Sequence, residues 1–361
     1  MKSERLEVFQ HFAYQALRQN RAPNSEGNKE AKRLIRRFLR YAGVGYTEEA
    51  FELRAQVPHS AYIEVGDIKI PAIAYMGSPS TQVEGYAKRD FLEGDIALVK
   101  GELSAKLLEG LVQAGAKAVI TYRERLGVAS CWQNYNSNMP VVSISKQDLK
   151  HVEDFKVKIV IRSEEKLLKC SNFVLPDIGR GPVIYLVARM DTPQEGFGAI
   201  SNGVGFLLLL FIYEELRERY NAPYRLRFLI TDASSLNYAG ARHHLSKEPK
   251  HVYYCINLEG IGWGNPCVVY KDAEGYNGCR INELFYRHAQ AMGISLDYVS
   301  VPDLDGDHIA FKKRGVETLL LSSYPFYIRN TEYDLYDAID WDKVVMWYEL
   351  LVSFLRRFHK V

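Results

Sequence analysis

Residues 187–202 read VARMDTPQEGFGAISN and connect a predicted strand to a predicted helix. Residues 183–187 are apolar, as expected for a buried strand, and a short polar turn that contains Asp191 follows them. Beyond Ser201 the chain becomes strongly apolar again through residues 204–213, which predicts a buried helix. The segment is therefore a strand–turn–helix unit whose polar side chains lie between two apolar elements.

The chain after residue 156 alternates predicted strands with predicted helices. Strands such as 182–187 and 318–321 are apolar along their whole length, which is typical of strands that are buried on both faces. The pattern predicts an α/β fold with a mixed central sheet and helices on both faces. In open α/β sheets, ligands bind beyond the carboxyl ends of the strands. We therefore expect a cleft lined by residues that follow predicted strands: Arg189, Asp191, Ser234, Glu259 and His308.

Four further segments carry polar residues just after predicted strands or turns. They read TDASS (231–235), NLEGIG (257–262), GDH (306–308) and NTEYD (330–334). In their order and spacing, and together with residues 187–202, they resemble the zinc-dependent aminopeptidases of the bacterial leucyl-aminopeptidase type. Glutaminyl cyclases are among the relatives of that family. The resemblance covers most of residues 28–54 and 156–361, and it implies a zinc-aminopeptidase-like sandwich.

Several positions at which this family has metal ligands or a catalytic base carry other residues here. The resemblance implies that Arg189 stands where the family has a histidine ligand of the first zinc, and Ser201 where it has the bridging aspartate. The other replaced positions are Ser234 for the general-base glutamate, Ser235 for a glutamate ligand of the second zinc, and Asn330 for its histidine ligand.

Two carboxylates of the family's site are retained. The resemblance implies that Glu259 corresponds to the other carboxylate ligand of the first metal, and Asp191 to the residue that orients its histidine. Asp307 and His308 lie in a segment that the family places close to its site. Buried carboxylates without a cation are costly, so we expect Arg189 to form hydrogen bonds to Asp191, Glu259 or both. The alternative is that Arg189 points to solvent and the cleft is wet.

A pair of zinc ions needs a bridging carboxylate and further histidine or carboxylate ligands, and a nearby carboxylate must accept the proton of the attacking water. A guanidinium has no lone pair to donate to a metal. The sequence therefore predicts a catalytically silent homologue with no metal and no cofactor. Asp191 and Ser234 are degenerate catalytic positions in this interpretation, in which the protein acts through an unidentified peptide or protein ligand.

Two other interpretations remain open at this point. The chain could be an active metallo-aminopeptidase or a cyclase-like hydrolase that uses Asp191, Glu259, Asp307 and His308 around a single zinc ion. Alternatively, the alignment of the segments could be shifted. A neighbouring carboxylate would then replace a missing ligand, and the candidates are Asp232 and Glu195.

Residues 55–155 lack the long helical periods of the rest of the chain and alternate short apolar segments with turns. They contain predicted strands at 68–75, 94–100, 115–122 and 140–144 and a predicted helix at 104–114. The segments QAGAKAV (113–119) and PVVSI (140–144) resemble the mainly-β protease-associated domain that many such peptidases contain as an insertion. We therefore predict an aminopeptidase-like domain of residues 1–54 and 156–361, with a smaller inserted domain of residues 55–155.

Composition restricts the remaining function classes. The formal net charge of +2 favours no nucleic-acid partner, and the basic stretch 32–40 (KRLIRRFLR) is typical of an amphipathic helix with a solvated basic face. The apolar run 204–213 is too short to span a bilayer, so we expect no membrane partner. Five cysteines without a Cys-x-x-Cys pair, and a polar N-terminal decapeptide, favour a cytoplasmic location. Because related peptidases often assemble, a homo-oligomer is a further expectation.

Overall fold

The computed structural model describes residues 1–101, 103–123, 138–247 and 252–358. Within these residues the chain forms one extensive mixed sheet with helices packed on both faces, which confirms the predicted fold class. Cys131, one of the five cysteines, lies outside the described residues.

The described part of the chain forms nine α-helices and fifteen strands. The helices are α1 (Ser3–Leu17), α2 (Glu26–Tyr41), α3 (Ala105–Gln113), α4 (Leu149–Val152), α5 (Val204–Leu216), α6 (Ala239–Lys247), α7 (Cys279–Ala291), α8 (His308–Lys312) and α9 (Trp341–Arg357). The strands are β1 (Thr47–Val65), β2 (Ile68–Ala74), β3 (Thr81–Lys88), β4 (Ile96–Lys100), β5 (Ala118–Tyr122), β6 (Val141–Ile144), β7 (Lys156–Val174), β8 (Ile178–Gly179), β9 (Val183–Arg189), β10 (Arg225–Thr231), β11 (Val252–Leu258), β12 (Asn265–Asp272), β13 (Gly275–Tyr276), β14 (Asp297–Ser300) and β15 (Glu317–Tyr324).

The centre of the sheet has the strand order β10–β9–β11–β15, and these four strands are parallel. Antiparallel strands flank them, with β7 beside β10 and β12 beside β15. Since parallel strands end at the same edge of a sheet, the residues that follow β9, β10 and β11 are brought together there. The topology therefore assembles the predicted site from separate parts of the chain.

The side chains of β9 show why its sequence is apolar throughout. Ile184 and Leu186 pack into the core formed with α1, α2, α5, α7 and α9, whereas Tyr185 and Val187 face a second cluster formed with α6 and α8. Successive strand residues point to opposite faces, and both faces are covered by helices here. Strand β9 is consequently buried on both sides up to Arg189, its last residue.

The predicted strands and helix of residues 55–155 are present as β2, β4, β5, β6 and α3, and two apolar clusters lie among them. Strand β3 was not predicted, because its sequence TQVEGYAK has no apolar run and most of its side chains are partly exposed. Strand β1 crosses the predicted boundary at residue 55 and pairs with β7 from Thr47–Val174 to Glu64–Lys158. The division into two domains, with a protease-associated insertion, stays a prediction.

The amphipathic helix predicted from residues 32–40 is present as α2, and the hydroxyl of Ser25 accepts a hydrogen bond from the backbone N–H of Asn28 at its start. Its basic face is not solvated throughout, however. Lys32 is buried and pairs with Asp232 at 2.6 Å, so the prediction of a solvated basic face is wrong at this residue. Side-chain charge alone did not reveal that a buried carboxylate lies opposite this position.

Helix α5 is longer than the apolar run suggested. A wide turn at Ala199–Gly203 leads directly into it, and the combined segment Ala199–Leu216 is long and apolar enough, by length and composition, to cross a membrane. Most of this segment, 89%, is buried inside the fold, and its side chains form the centre of the main core. Burial against protein therefore accounts for its hydrophobicity.

Candidate functional site

The structure gathers polar residues at the carboxyl ends of the central strands, as predicted. Arg189 ends β9, Glu259 follows β11, and Ser234 and Ser235 follow β10. All nine predicted cleft residues are buried: Arg189, Asp191, Ser201, Ser234, Ser235, Glu259, Asp307, His308 and Asn330. The set is therefore desolvated, and its charges must be balanced by neighbouring groups.

Arg189 and Glu259 form a buried ion pair at the centre of this set. The Nη2 of Arg189 donates to Oε1 of Glu259, and each side chain is only 1% exposed. The alternative in which Arg189 points to solvent is therefore wrong. Oε2 of Glu259 has no hydrogen-bond partner within the described ranges. Burial raises the pKa of Glu259 to about 8, and the charges of Arg189 and Arg329 oppose this increase.

Asp191 is held by the loop that follows β10. It accepts hydrogen bonds from the backbone N–H groups of Ser234 and Ser235, both at 2.9 Å, and from the hydroxyl of Ser235 at 2.6 Å. Burial and the nearby charge of Asp232 raise the pKa of Asp191 to about 6. Ser235 thus serves as a hydrogen-bond donor to a carboxylate, at the position where the resemblance implied a metal ligand.

Ser234 is bonded to a second buried carboxylate. Its hydroxyl donates to Oδ1 of Asp307 at 2.9 Å, and the hydroxyl of Thr231 donates to the other oxygen. Burial raises the pKa of Asp307. A serine hydroxyl carries one hydrogen, and here that hydrogen is directed at Asp307. Ser234 is therefore arranged as a hydrogen-bond donor and cannot replace a carboxylate base.

Asp334 is a site residue to which the sequence gave no role. Its carboxylate accepts hydrogen bonds from the backbone N–H groups of Ile200 at 2.7 Å and Ser201 at 3.2 Å, where the turn into α5 begins. The hydroxyl of Ser201 bonds to its neighbour Asn202. Asp334 thus positions Ser201 by satisfying N–H groups that the helix leaves free.

Replacing Asp334 with alanine is expected to lower the free energy of unfolding by about 1–3 kcal/mol, because it leaves buried N–H groups without an acceptor. The measurement is urea-induced unfolding followed by circular dichroism. The control is Asp337→Ala, which removes an exposed carboxylate three residues along the chain. Equal effects of the two changes would contradict the assigned role.

His308 belongs to a neighbouring network. Its Nε2 lies 2.9 Å from Oδ2 of Asp272, and Lys312 reaches the same carboxylate at 3.1 Å. Burial by itself would raise the pKa of Asp272. The hydrogen bond and charge of His308, together with the charge of Lys312, outweigh this effect and lower the pKa to about 2. The imidazole is therefore engaged away from the Arg189–Glu259 pair.

Asn330 is buried and adopts a left-handed backbone conformation with φ of 57°, which asparagine tolerates better than most residues.

Of the two carboxylates considered as substitute ligands, one is engaged by other residues and the other is exposed. Asp232 pairs with Lys32 and also accepts a hydrogen bond from the side chain of Asn28 at 3.0 Å. Glu195 is exposed. Over the described part of the chain, no group of three or more histidine, cysteine, aspartate or glutamate side chains is arranged to hold a metal ion. The donors present, with a guanidinium in their midst, do not fit a two-zinc site.

A second buried arginine, Arg21, binds the loop that follows β9, and the sequence analysis did not identify it. Arg21 is fully buried and donates to the carbonyl oxygens of Met190, Phe197 and Gly198 at 2.8–2.9 Å. Burial lowers the pKa of Arg21 to about 10, and the charges of Asp334 and Asp191 oppose this decrease. Its guanidinium therefore holds the loop of residues 190–198 by its backbone. No local pattern around residue 21 indicates such a role.

Comparison with known proteins identifies the family of this fold. Residues 176–355 match the family model described as Peptidase family M28. These residues belong to peptidase family M28. The matched segment includes the strands β9, β10, β11 and β15 and all nine of the predicted cleft residues. The resemblance inferred from the sequence motifs is thus confirmed. A search of curated proteins finds no match.

Solved structures of aminopeptidases share the fold over nearly the whole chain. The aminopeptidase of Aneurinibacillus sp. strain AM-1 has a TM-score of 0.74 at 19% identity, covering 98% of this chain and 93% of its own. The zinc aminopeptidase BSAP of Bacillus subtilis has a TM-score of 0.74 at 17% identity, covering 96% and 93%. An Acidobacteriales bacterium glutaminyl cyclase has a TM-score of 0.56 at 14% identity, covering 98% and 94%. At these identities the similarity establishes the fold alone.

Proposed function

We propose that this M28-family chain is a catalytically silent homologue of the two-zinc aminopeptidases and acts as a peptide- or protein-binding or assembly protein. The observation that carries the proposal is the buried contact between Arg189 and Glu259. It places a fixed positive charge against the carboxylate that would have to bind zinc. A dication at the same position would be repelled by the guanidinium and would also lack neighbouring donors.

The surrounding contacts support the same proposal. Ser234 donates to Asp307, and Ser235 donates to Asp191, so both serines satisfy carboxylates that would otherwise be buried without partners. Neither hydroxyl can take the proton of an attacking water as a glutamate would. Ser234 and Ser235 are thus engaged by carboxylates of the protein itself, without a metal ion.

The alternative of a single-metal hydrolase requires Asp191, Glu259, Asp307 and His308 to turn toward one ion. The observed contacts count against it, because Asp191 and Asp307 are held by the serines and His308 by Asp272. Each of these buried hydrogen bonds would have to be broken before the ion could bind.

Purified protein is expected to carry no stoichiometric zinc, and added zinc is expected not to raise its melting temperature. A ligand that binds only the native state adds about 2.7 kcal/mol at a hundred times its dissociation constant, which a thermal melt would detect. The same preparation is expected not to hydrolyse chromogenic amino-acid amides with added zinc, cobalt or manganese. Elemental analysis, melting curves and the amide assay are the measurements.

One zinc per chain, or metal-dependent turnover that disappears in Glu259→Ala, would refute the proposal. Arg189→His serves as the matched variant, since it returns one imidazole but leaves Ser201, Ser235 and Asn330 unchanged. We expect this variant to gain no tight zinc binding. Tight binding by this single change would mean that most of the metal site is still functional.

A cytoplasmic location and assembly into a homo-oligomer are part of this proposal. The four cysteines in the described residues are unpaired, which is typical of a reducing compartment: Cys170, Cys255, Cys267 and Cys279. Fractionation of cells and the mass of the purified protein in solution test the two points separately.

A further inference from the structure

A long groove runs beside strand β1, and none of the nine buried site residues lines it. It consists of two adjoining depressions of about 820 Å³ and 340 Å³ that share Leu53, Leu236 and Asn237. We call these two depressions together the β1 groove. The larger depression has a volume within the usual range for ligand sites, and the second extends it along the strand. The elongated form suits an extended chain better than a compact small molecule.

The β1 groove follows an edge of the sheet that no other strand covers in the described part of the chain. Strand β1 pairs with β7 from Thr47 onward, whereas on its opposite edge the described residues pair with β1 only where β2 does, at Ala61–Val65. Both depressions contact consecutive β1 residues, 51–53 in one and 53–56 in the other. Consecutive strand residues point to opposite faces, so a groove that touches each of them runs along the edge. Among the described residues, no strand pairs with this edge of β1 at residues 47–55, which leaves its backbone groups for pairing with another strand.

Part of the lining of the larger depression is apolar. Phe51, Leu53, Leu236 and Ala239 are partly buried and pack together over a small cluster of buried residues. The ring of His243 stacks on Phe51 at 4.7 Å between centroids. An extended peptide in the groove would bury apolar side chains here at every second position.

The rim of the larger depression is mainly positive. Arg242 and Arg314 are exposed and make no ion pair or side-chain hydrogen bond in the part of the chain that the structure describes. Lys313 lies on the same rim and approaches Glu274 at 3.7 Å. Glu52 is the acidic side chain among the residues that line this depression. The rim therefore complements an acidic partner.

We propose that the β1 groove binds an extended acidic peptide segment of a partner protein, which adds to this edge of β1 as a further strand. Backbone hydrogen bonds to the edge provide affinity, the apolar part of the lining takes alternate side chains, and Arg242 and Arg314 pair with carboxylates. This inference names a partner class for the proposed binding function. It does not depend on the Arg189–Glu259 pair, so the zinc test and the peptide test can fail separately.

The test uses a fluorescein-labelled octapeptide of alternating glutamate and leucine, with binding followed by fluorescence anisotropy. We expect saturable binding that weakens with added salt. Arg242→Glu with Arg314→Glu should weaken it about tenfold or more. The matched control is Arg180→Glu, which reverses an exposed arginine outside the groove and should change the affinity less than about twofold.

A second probe separates strand addition from simple charge attraction. The same octapeptide with N-methyl groups on alternate amides keeps every side chain but lacks half of its backbone donors. We expect it to bind about tenfold more weakly or worse. Equal binding of the two peptides, an equal effect of the Arg180→Glu control, or no saturable binding of the first peptide at millimolar concentration would overturn the proposal.

Discussion

Replacing Arg189 with methionine is expected to destabilise the protein by about 3–5 kcal/mol at pH 9 and by less at pH 6. The change keeps much of the side-chain volume but removes the cation that contacts Glu259. Above pH 8 the carboxyl of Glu259 is mostly ionised in the unchanged protein, and the variant would have to bury that charge without a partner. Urea-induced unfolding at pH 6, 7, 8 and 9 is the measurement.

The direction of this pH dependence follows from the pKa of Glu259. The pKa of Glu259 is about 8 in the folded protein and about 4.3 in an unfolded chain. Between these values the folded protein holds a proton that the unfolded chain has lost, so the free energy of unfolding falls as the pH rises from about 4.3 to about 8. Without Arg189 the folded pKa rises further, so the variant continues to lose stability above pH 8. The difference between the two proteins therefore grows there, by up to about 1.4 kcal/mol per pH unit.

The double variant Arg189→Met with Glu259→Gln is the control. It contains no carboxyl at residue 259, so at pH 9 it should cost less than the single change, and its own stability should lack the loss with rising pH that Glu259 causes in the unchanged protein. A cost of less than about 1 kcal/mol for Arg189→Met at pH 9 would contradict the ion pair, because only a solvated arginine is replaced so cheaply.

Replacing Lys32 with methionine is expected to cost about 3–5 kcal/mol, because it leaves Asp232 buried without its cation. Lys29→Met is a matched control on the same helix. Lys29 is 46% exposed and pairs with the exposed Glu26, so its replacement should cost less than about 1 kcal/mol. Urea-induced unfolding at neutral pH compares the two variants.

The partner change Asp232→Asn should recover part of the loss when it is combined with Lys32→Met, since an amide needs no buried counter-charge. Equal costs for Lys32→Met and Lys29→Met would contradict the burial of the Lys32–Asp232 pair. This pair also matters for the site, because Asp232 precedes the loop whose N–H groups hold Asp191.

The fold was predictable because its signals are local. Apolar runs such as residues 183–187 and 318–321 predict buried strands from their own composition, and β9 and β15 occupy those positions. The order of the motifs, from residues 187–202 to 330–334, predicted the family that residues 176–355 match. The gathering of Arg189, Asp191 and Glu259 also followed from sequence, because each stands just after a predicted strand.

Other site residues could not be predicted because their partners are distant in the chain. Arg21 bonds to carbonyl groups near residues 190–198, and His308 faces Asp272 although the family segment placed it near the site. A backbone carbonyl has no side-chain identity that a sequence pattern could show. A helix face with several basic residues likewise does not indicate which of them, here Lys32, will be turned inward.

The sequence by itself determined the α/β fold and the resemblance to the family, because residue types and their spacing are written along the chain. The resemblance in turn implied that Arg189 stands at a metal-ligand position and Ser234 at the general-base position. Only the tertiary structure decided how the resulting charges are balanced. It assigned Arg189 to Glu259, two backbone N–H groups to Asp191, and Lys32 to Asp232. Buried charges require partners at hydrogen-bond distance, and such distances exist only after segments far apart in sequence have packed together.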